Sequence, residues 1–185
     1  MAGGSRRSIL LLPGMGADAR LFDPLKPWLG EIVVPDWSVG EGAGTIPEWA
    51  QRIANWLPER VEVIGGASFG GAVAGRIASR LAKVPPGQST LFGLTNGTSR
   101  TTFRAMLHDT PGRRLQAMVE ALASWDAPGN PCCPIVRFHG TRDFLIQPRG
   151  QVDHWIKGAG HAFTLTHASV VGPILQKRLQ GFPSM

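Results

Sequence analysis

Val61-Glu62-Val63-Ile64 runs into Gly65-Gly66-Ala67-Ser68-Phe69-Gly70-Gly71, and small residues then continue to Ala82. The apolar run Val61–Ile64 reads as a strand buried on both faces. The stretch from Gly70 to Ala82 reads as a helix. Between them a single serine stands with a glycine two positions to either side. A serine in so sharp a turn is strained, and side chains at those two positions would collide; Gly66 and Gly70 remove the collision. A G-x-S-x-G pattern is common by chance, but a strand before it and a helix after it are the context it needs. On that reading Ser68 is a nucleophile lifted above a sheet edge, with the positive end of a helix behind it. The alternative is a plain glycine-rich turn.

Outward from this point, short apolar runs alternate with helical stretches. Ser8–Leu12, Glu31–Val34, Thr90–Leu94, Ile135–Phe138 and Val152–Ile156 are further expected strands. Asp23-Pro24 predicts a helix to Leu29 with Asp23 as N-cap. Thr45-Ile46-Pro47-Glu48 is a capping box opening a helix to Leu57. Ser169–Gln180 reads as a closing helix, with Pro173 near its start or kinking it. Strands separated by helices imply a mostly parallel sheet of about six strands in an α/β three-layer sandwich. One segment, 98–128, is too long for a simple crossover. Phe103, Met106 and Leu107 share a helical face, and Thr110-Pro111 caps a second helix bearing Leu115, Met118, Val119 and Leu122. This helical pair serves as a lid, as ordinary packing, or as both.

The 185 residues suit one domain, 1–185, with a sizeable core. No apolar run approaches a membrane span, and the run after the basic N-terminus stops at Pro13, short of a secretory signal. A soluble protein of the cytoplasm is expected. The formal charge of +6 comes from scattered arginines and lysines without a block of like charge, so a solvated basic surface is favoured over nucleic-acid binding. Cys132 and Cys133 are adjacent, a poor geometry for an ordinary disulfide and too few ligands for zinc. They read as reduced residues entering a buried strand, with a reactive thiol as the lesser option.

Three further motifs carry chemistry. Leu11-Leu12-Pro13-Gly14-Met15-Gly16 ends the first strand in a glycine-rich loop. The backbone N–H of Met15, with that of Phe69, can form an oxyanion hole; a tight strand-to-helix turn is the alternative. Gly14-Met15-Gly16 lacks the third glycine of a dinucleotide site. Phe138-His139-Gly140-Thr141-Arg142-Asp143 places an acid just after a late strand, where a carboxylate can orient an imidazole. A turn-capping role is the alternative for Asp143, and Asp126 is the rival acid. Gly158-Ala159-Gly160-His161 puts a histidine in a flexible loop after the last strand. His108, His139, His154 and His167 fit that role less well. Met15, Phe69, Phe103 and Met106 are the expected pocket residues.

At these residues, from LLPGMGADARLF through GASFGG and FHGTRD to GAGHAF, the chain resembles the α/β-hydrolase superfamily over nearly its whole length. The order serine, acid, histidine is that family's order. The resemblance implies a Ser68–Asp143–His161 triad and an acyl-enzyme route. It departs in reading Pro-Gly where many members have His-Gly, in lacking the first two strands of the usual sheet, and in its small lid. It implies a serine hydrolase for small esters, thioesters or lactones, with no metal or other cofactor. An amidase or peptidase with the same triad, or a non-catalytic binder keeping the fold, stays open. Oligomeric state is not legible.

Overall fold

The computed structural model describes residues 8–58, 61–80, 99–125, 133–148 and 150–181. Strands β1 (Ile9–Leu12), β2 (Ile32–Val33) and β3 (Val63–Gly66) form a parallel sheet in the order β2-β1-β3. Strands β4 (Phe138–Gly140) and β5 (His154–Ile156) form a second parallel pair. The expected strand at 90–94 lies outside the described residues. Among those that are described, the fold is α/β with a parallel sheet.

Residues in β1 alternate between two cores, as the pleat requires. Ile9 and Leu11 join Leu21, Leu25, Phe138, Phe163, Val171 and Leu175 on one face. Leu10 and Leu12 join Trp37, Trp49, Ile53, Phe69, Val73 and Ile77 on the other. Helices α1 (Lys26–Leu29), α6 (Phe163–Thr166) and α7 (Ala168–Gln180) cover the first face, and α2 (Ile46–Trp56) and α3 (Phe69–Arg80) the second. That is a three-layer arrangement. No described helix is long and apolar enough to cross a membrane.

Local chemistry accounts for where the elements begin and end. The capping box of α2 forms as the sequence suggests: Glu48 N–H donates to Thr45 Oγ1, and Glu48 Oε2 accepts from Thr45 N–H. Asp23 is not a cap; it lies inside a short 3₁₀ turn, Asp23–Leu25, and pairs with Lys26. Strand β3 runs on to Gly66 because its ladder follows β1, with Ile9 opposite Val63 and Leu12 opposite Gly66. The fifth expected strand starts three residues late. Asp153 Oδ2 takes the Arg137 N–H at 2.7 Å, so pairing with β5 begins only at Phe138. Pro173 sits inside α7 and is exposed.

Two helices, α4 (Ser99–Asp109) and α5 (Gly112–Ala123), occupy the segment expected as a lid. Met118 and Ala121 are buried, while Val119 is 52% exposed, so the apolar face is narrower than the sequence pattern suggested. Thr110 does not cap α5. Its hydroxyl donates back to the Met106 carbonyl of α4 at 2.8 Å, and Pro111 occupies the cap position without a side-chain bond. Cys133 is half-buried, five residues ahead of β4, so it does not enter the strand directly; Cys132 lies outside the described residues.

Candidate active site

Ser68 lies between β3 and α3 with φ +50°, the single positive φ outside glycine among the described residues. This is the left-handed region, costing a non-glycine residue about 1–2 kcal/mol. The turn is held by Ala67 N–H to Leu12 O at 2.9 Å, Gly71 N–H to Ser68 O at 2.9 Å and Ala72 N–H to Ser68 O at 3.1 Å. A methyl group on Gly66 would strike the Gly70 carbonyl, and one on Gly70 would strike the carbonyls of Leu12 and Pro13. The second clash shows that the end of β1 lies directly on the start of α3.

That approach brings the Pro13–Gly16 loop beside the serine turn. Ala17 N–H donates to Gly14 O at 3.1 Å, closing a β-turn with Gly16 at φ +70°, a value that favours glycine at the third position. Met15 occupies the second position, so its N–H is not consumed by the turn. Phe69 is the first residue of α3 and its N–H has no acceptor within the helix. Helices α4 and α5 reach the same loop. Leu107 presses on Gly16, Leu115 Cδ2 lies 3.2 Å from where a Gly16 methyl would sit, and Asp18 N–H meets Met106 Sδ at 3.4 Å. Arg20 bridges Asp18 and Asp109, and Arg114 lies 3.6 Å from Glu41. Asp18 first and Asp109 second push the Arg20 guanidinium further up, and Arg20 holds Asp109 below the usual carboxylate range. The Arg20 pairs lie at the surface, where water screens them, so apolar contact sets the position of the helices.

The acid and the histidine meet at the carboxyl end of β4 and β5. Asp143 N–H donates to Gly140 O at 3.1 Å, folding the carboxylate back over the strand end. Its side chain is 1% exposed. Oδ1 accepts from the N–H groups of Leu145 and Ile146, each at 3.0 Å, and Oδ2 lies 2.7 Å from His161 Nδ1. The loop carrying His161 is anchored by Arg142 N–H to Ala159 O at 2.7 Å and by Gly158 N–H to Thr141 Oγ1 at 2.8 Å. Gly140 lets that loop close, because a methyl there would strike the carbonyls of Ala159 and Gly160. Ala67, Ala159 and Ala162, which flank the serine turn and the histidine, belong to one buried cluster.

The pocket expectation needs correction. The Phe69 ring is fully buried against Trp37 and Trp49, with centroids 5.3 and 5.5 Å away, so it is a core side chain. Met106 is also fully buried. Met15 and Phe103 are half-buried and pack against the cores. Leu107 and Leu115 of the expected helical pair, not among the expected pocket residues, lie over the loop, and nothing in the sequence signals that His139 Nε2 lies 3.7 Å from Asp143 Oδ2. Asp126, the rival acid, is outside the described residues. Among those described, no cluster of side chains is arranged to hold a metal ion. A surface groove lined by Ile9, Trp28, Leu29 and Leu179 lies at the opposite end of β1.

No protein-family model and no curated protein matches the chain. Solved structures do. An N-acyl homoserine lactonase, the AidH E219G mutant with N-hexanoyl homoserine, superimposes with TM-score 0.72 at 14% identity, over 100% of this chain and 92% of that one. MGS-MChE2, an α/β hydrolase from the metagenome of lagoon sediments at Mar Chica, Morocco, gives 0.69 at 16% identity, over 96% and 92%. YbtT, a type II thioesterase of a Yersiniabactin pathway, gives 0.63 at 16% identity, over 98% and 95%. With these likenesses covering both chains almost end to end, this protein has the α/β-hydrolase fold.

Proposed function

We propose that the protein is a serine hydrolase that cleaves small carboxylic esters, thioesters or lactones through Ser68, His161 and Asp143. The observation that carries the reading is the buried Asp143–His161 pair at 2.7 Å, at the carboxyl end of β4 and β5, as the strained Ser68 is at the carboxyl end of β3. Asp143 holds the proton of His161 on Nδ1, leaving Nε2 as the base. His161 takes the Ser68 proton as Oγ bonds to the substrate carbonyl carbon, and the carbonyl electron pair moves onto oxygen. The N–H groups of Met15 and Phe69 receive that oxyanion. The tetrahedral adduct collapses, His161 protonates the departing alkoxide or thiolate, and the acyl group stays on Ser68. Water then repeats the sequence with His161 as base and frees the acid.

Leu107 and Leu115, apolar and lying on the oxyanion loop, suit an apolar acyl group. The solved relatives include a lactonase bound to an N-hexanoyl ligand and a type II thioesterase, both consistent with acyl substrates. The test is turnover of p-nitrophenyl acyl esters and acyl thioesters of graded chain length by wild type and Ser68→Ala. Loss of turnover in a folded Ser68→Ala supports the reading. Turnover unchanged by the substitution contradicts it, and a folded wild type inert to every substrate favours a binding protein.

A further inference from the structure

We infer that His139 is a positioning residue for Asp143, supplying a second donor to the oxygen that His161 already uses; the inference rests on the proposed triad. Buried polar atoms without a partner are uncommon and call for an explanation. His139 Nε2 is such an atom: it is buried and makes no hydrogen bond among the described residues. The group it faces is Asp143 Oδ2, 3.7 Å away.

The fold aims this imidazole. His139 is the middle residue of β4, opposite Trp155 in register, and its ring meets the Trp155 ring edge-to-face with centroids 5.6 Å apart. The chain then turns through the Asp143 N–H to Gly140 O bond and returns the carboxylate over the imidazole four residues earlier. On Asp143 the acceptor positions are nearly all used. Oδ1 takes two backbone N–H groups, and Oδ2 takes His161. What remains is one lone pair on Oδ2, on the oxygen His139 faces.

A lone pair on Nε2 would repel that oxygen, so the neutral ring carries its proton on Nε2. A shift of roughly 0.5–1 Å brings the pair to hydrogen-bond distance. With both imidazoles engaged, the carboxylate plane is fixed from both oxygens. The His161 ring then keeps its aim while Nε2 takes and returns the serine proton. His139 touches no reacting atom and acts through Asp143 alone.

The test uses the full chain with ¹⁵N-labelled histidine, in wild type, His139→Phe and His139→Gln. Three readouts are taken: the His139 tautomer, the His161 Nδ1–H proton resonance, and the rate of fluorophosphonate labelling at Ser68. The expected results are an Nε2–H tautomer at His139, a moved His161 resonance in His139→Phe, and labelling about fivefold slower, the rate equivalent of one hydrogen bond of ordinary net strength. His139→Gln, which keeps an N–H near the Nε2 position, restores most of the rate. An Nδ1–H tautomer, or a His161 resonance indifferent to both substitutions, overturns the inference. If His139→Phe does not fold, the wild-type tautomer and His139→Gln decide. If wild-type Ser68 does not label, the proposed function fails, while the two spectroscopic readouts still settle whether His139 serves Asp143.

Discussion

Replacing Asp143 by asparagine probes the proposed triad with little change of shape, and the structure fixes what the amide must do. Oδ1 accepts from two backbone N–H groups, at Leu145 and Ile146. The amide oxygen therefore takes that position and the amide nitrogen falls 2.7 Å from His161 Nδ1. That nitrogen donates, so Nδ1 must accept, and the proton moves to Nε2, where it blocks the base. The full penalty of a wrong tautomer is about 10⁴ in kcat, or roughly 5.5 kcal/mol. A flipped amide would rescue the tautomer but would turn its NH₂ toward both backbone donors. Leaving two donors unsatisfied costs about 2–6 kcal/mol. The flipped form is then at most about one molecule in thirty, and kcat falls by between about 30-fold and 10⁴-fold. The assay is ester hydrolysis from pH 6 to 9, with circular dichroism to show an unchanged fold. A folded Asp143→Asn within threefold of wild type would refute the reasoning.

Three other substitutions follow from named contacts. Ser68→Gly should melt above Ser68→Ala, because relief of the left-handed conformation, about 1–2 kcal/mol, exceeds glycine's added unfolded-state entropy of about 0.4–1 kcal/mol; differential scanning calorimetry of the two inactive variants checks the order. Gly70→Ala should lose about 1–3 kcal/mol to overpacking against the Leu12 and Pro13 carbonyls, measured by urea unfolding, and should lose labelling at Ser68. His154 is held below the ordinary histidine value, by burial first and Arg178 second. The unfolded chain then binds more protons, so stability falls as pH drops through about 6.5. His154→Gln should show a smaller fall in Tm than wild type between pH 7.5 and 5.5, and an equal fall would count against this.

Much of this was legible because glycine positions report backbone approach. Gly66, Gly70 and Gly140 stand where a methyl group would strike another segment's backbone, so each marks a contact even in one dimension. The Thr45–Glu48 box was legible for the same local reason: its partners are three residues apart. What stayed hidden depends on partners distant in sequence. Phe69 fits a pocket as well as a core until Trp37 and Trp49 are seen around it. The late start of β4 depends on a carboxylate sixteen residues away. His139 is not legible as a partner of Asp143, because that relation exists only once the chain turns back at Gly140.

Every step of the proposed reaction needs Ser68 as a nucleophile activated by His161. Incubation of the folded protein with a fluorophosphonate, followed by intact mass and peptide mapping, reads this out. One adduct per chain is expected, on Ser68, with a large loss of labelling in His161→Ala. A folded protein that takes up no adduct, or carries it on another residue, would rule the activated serine out.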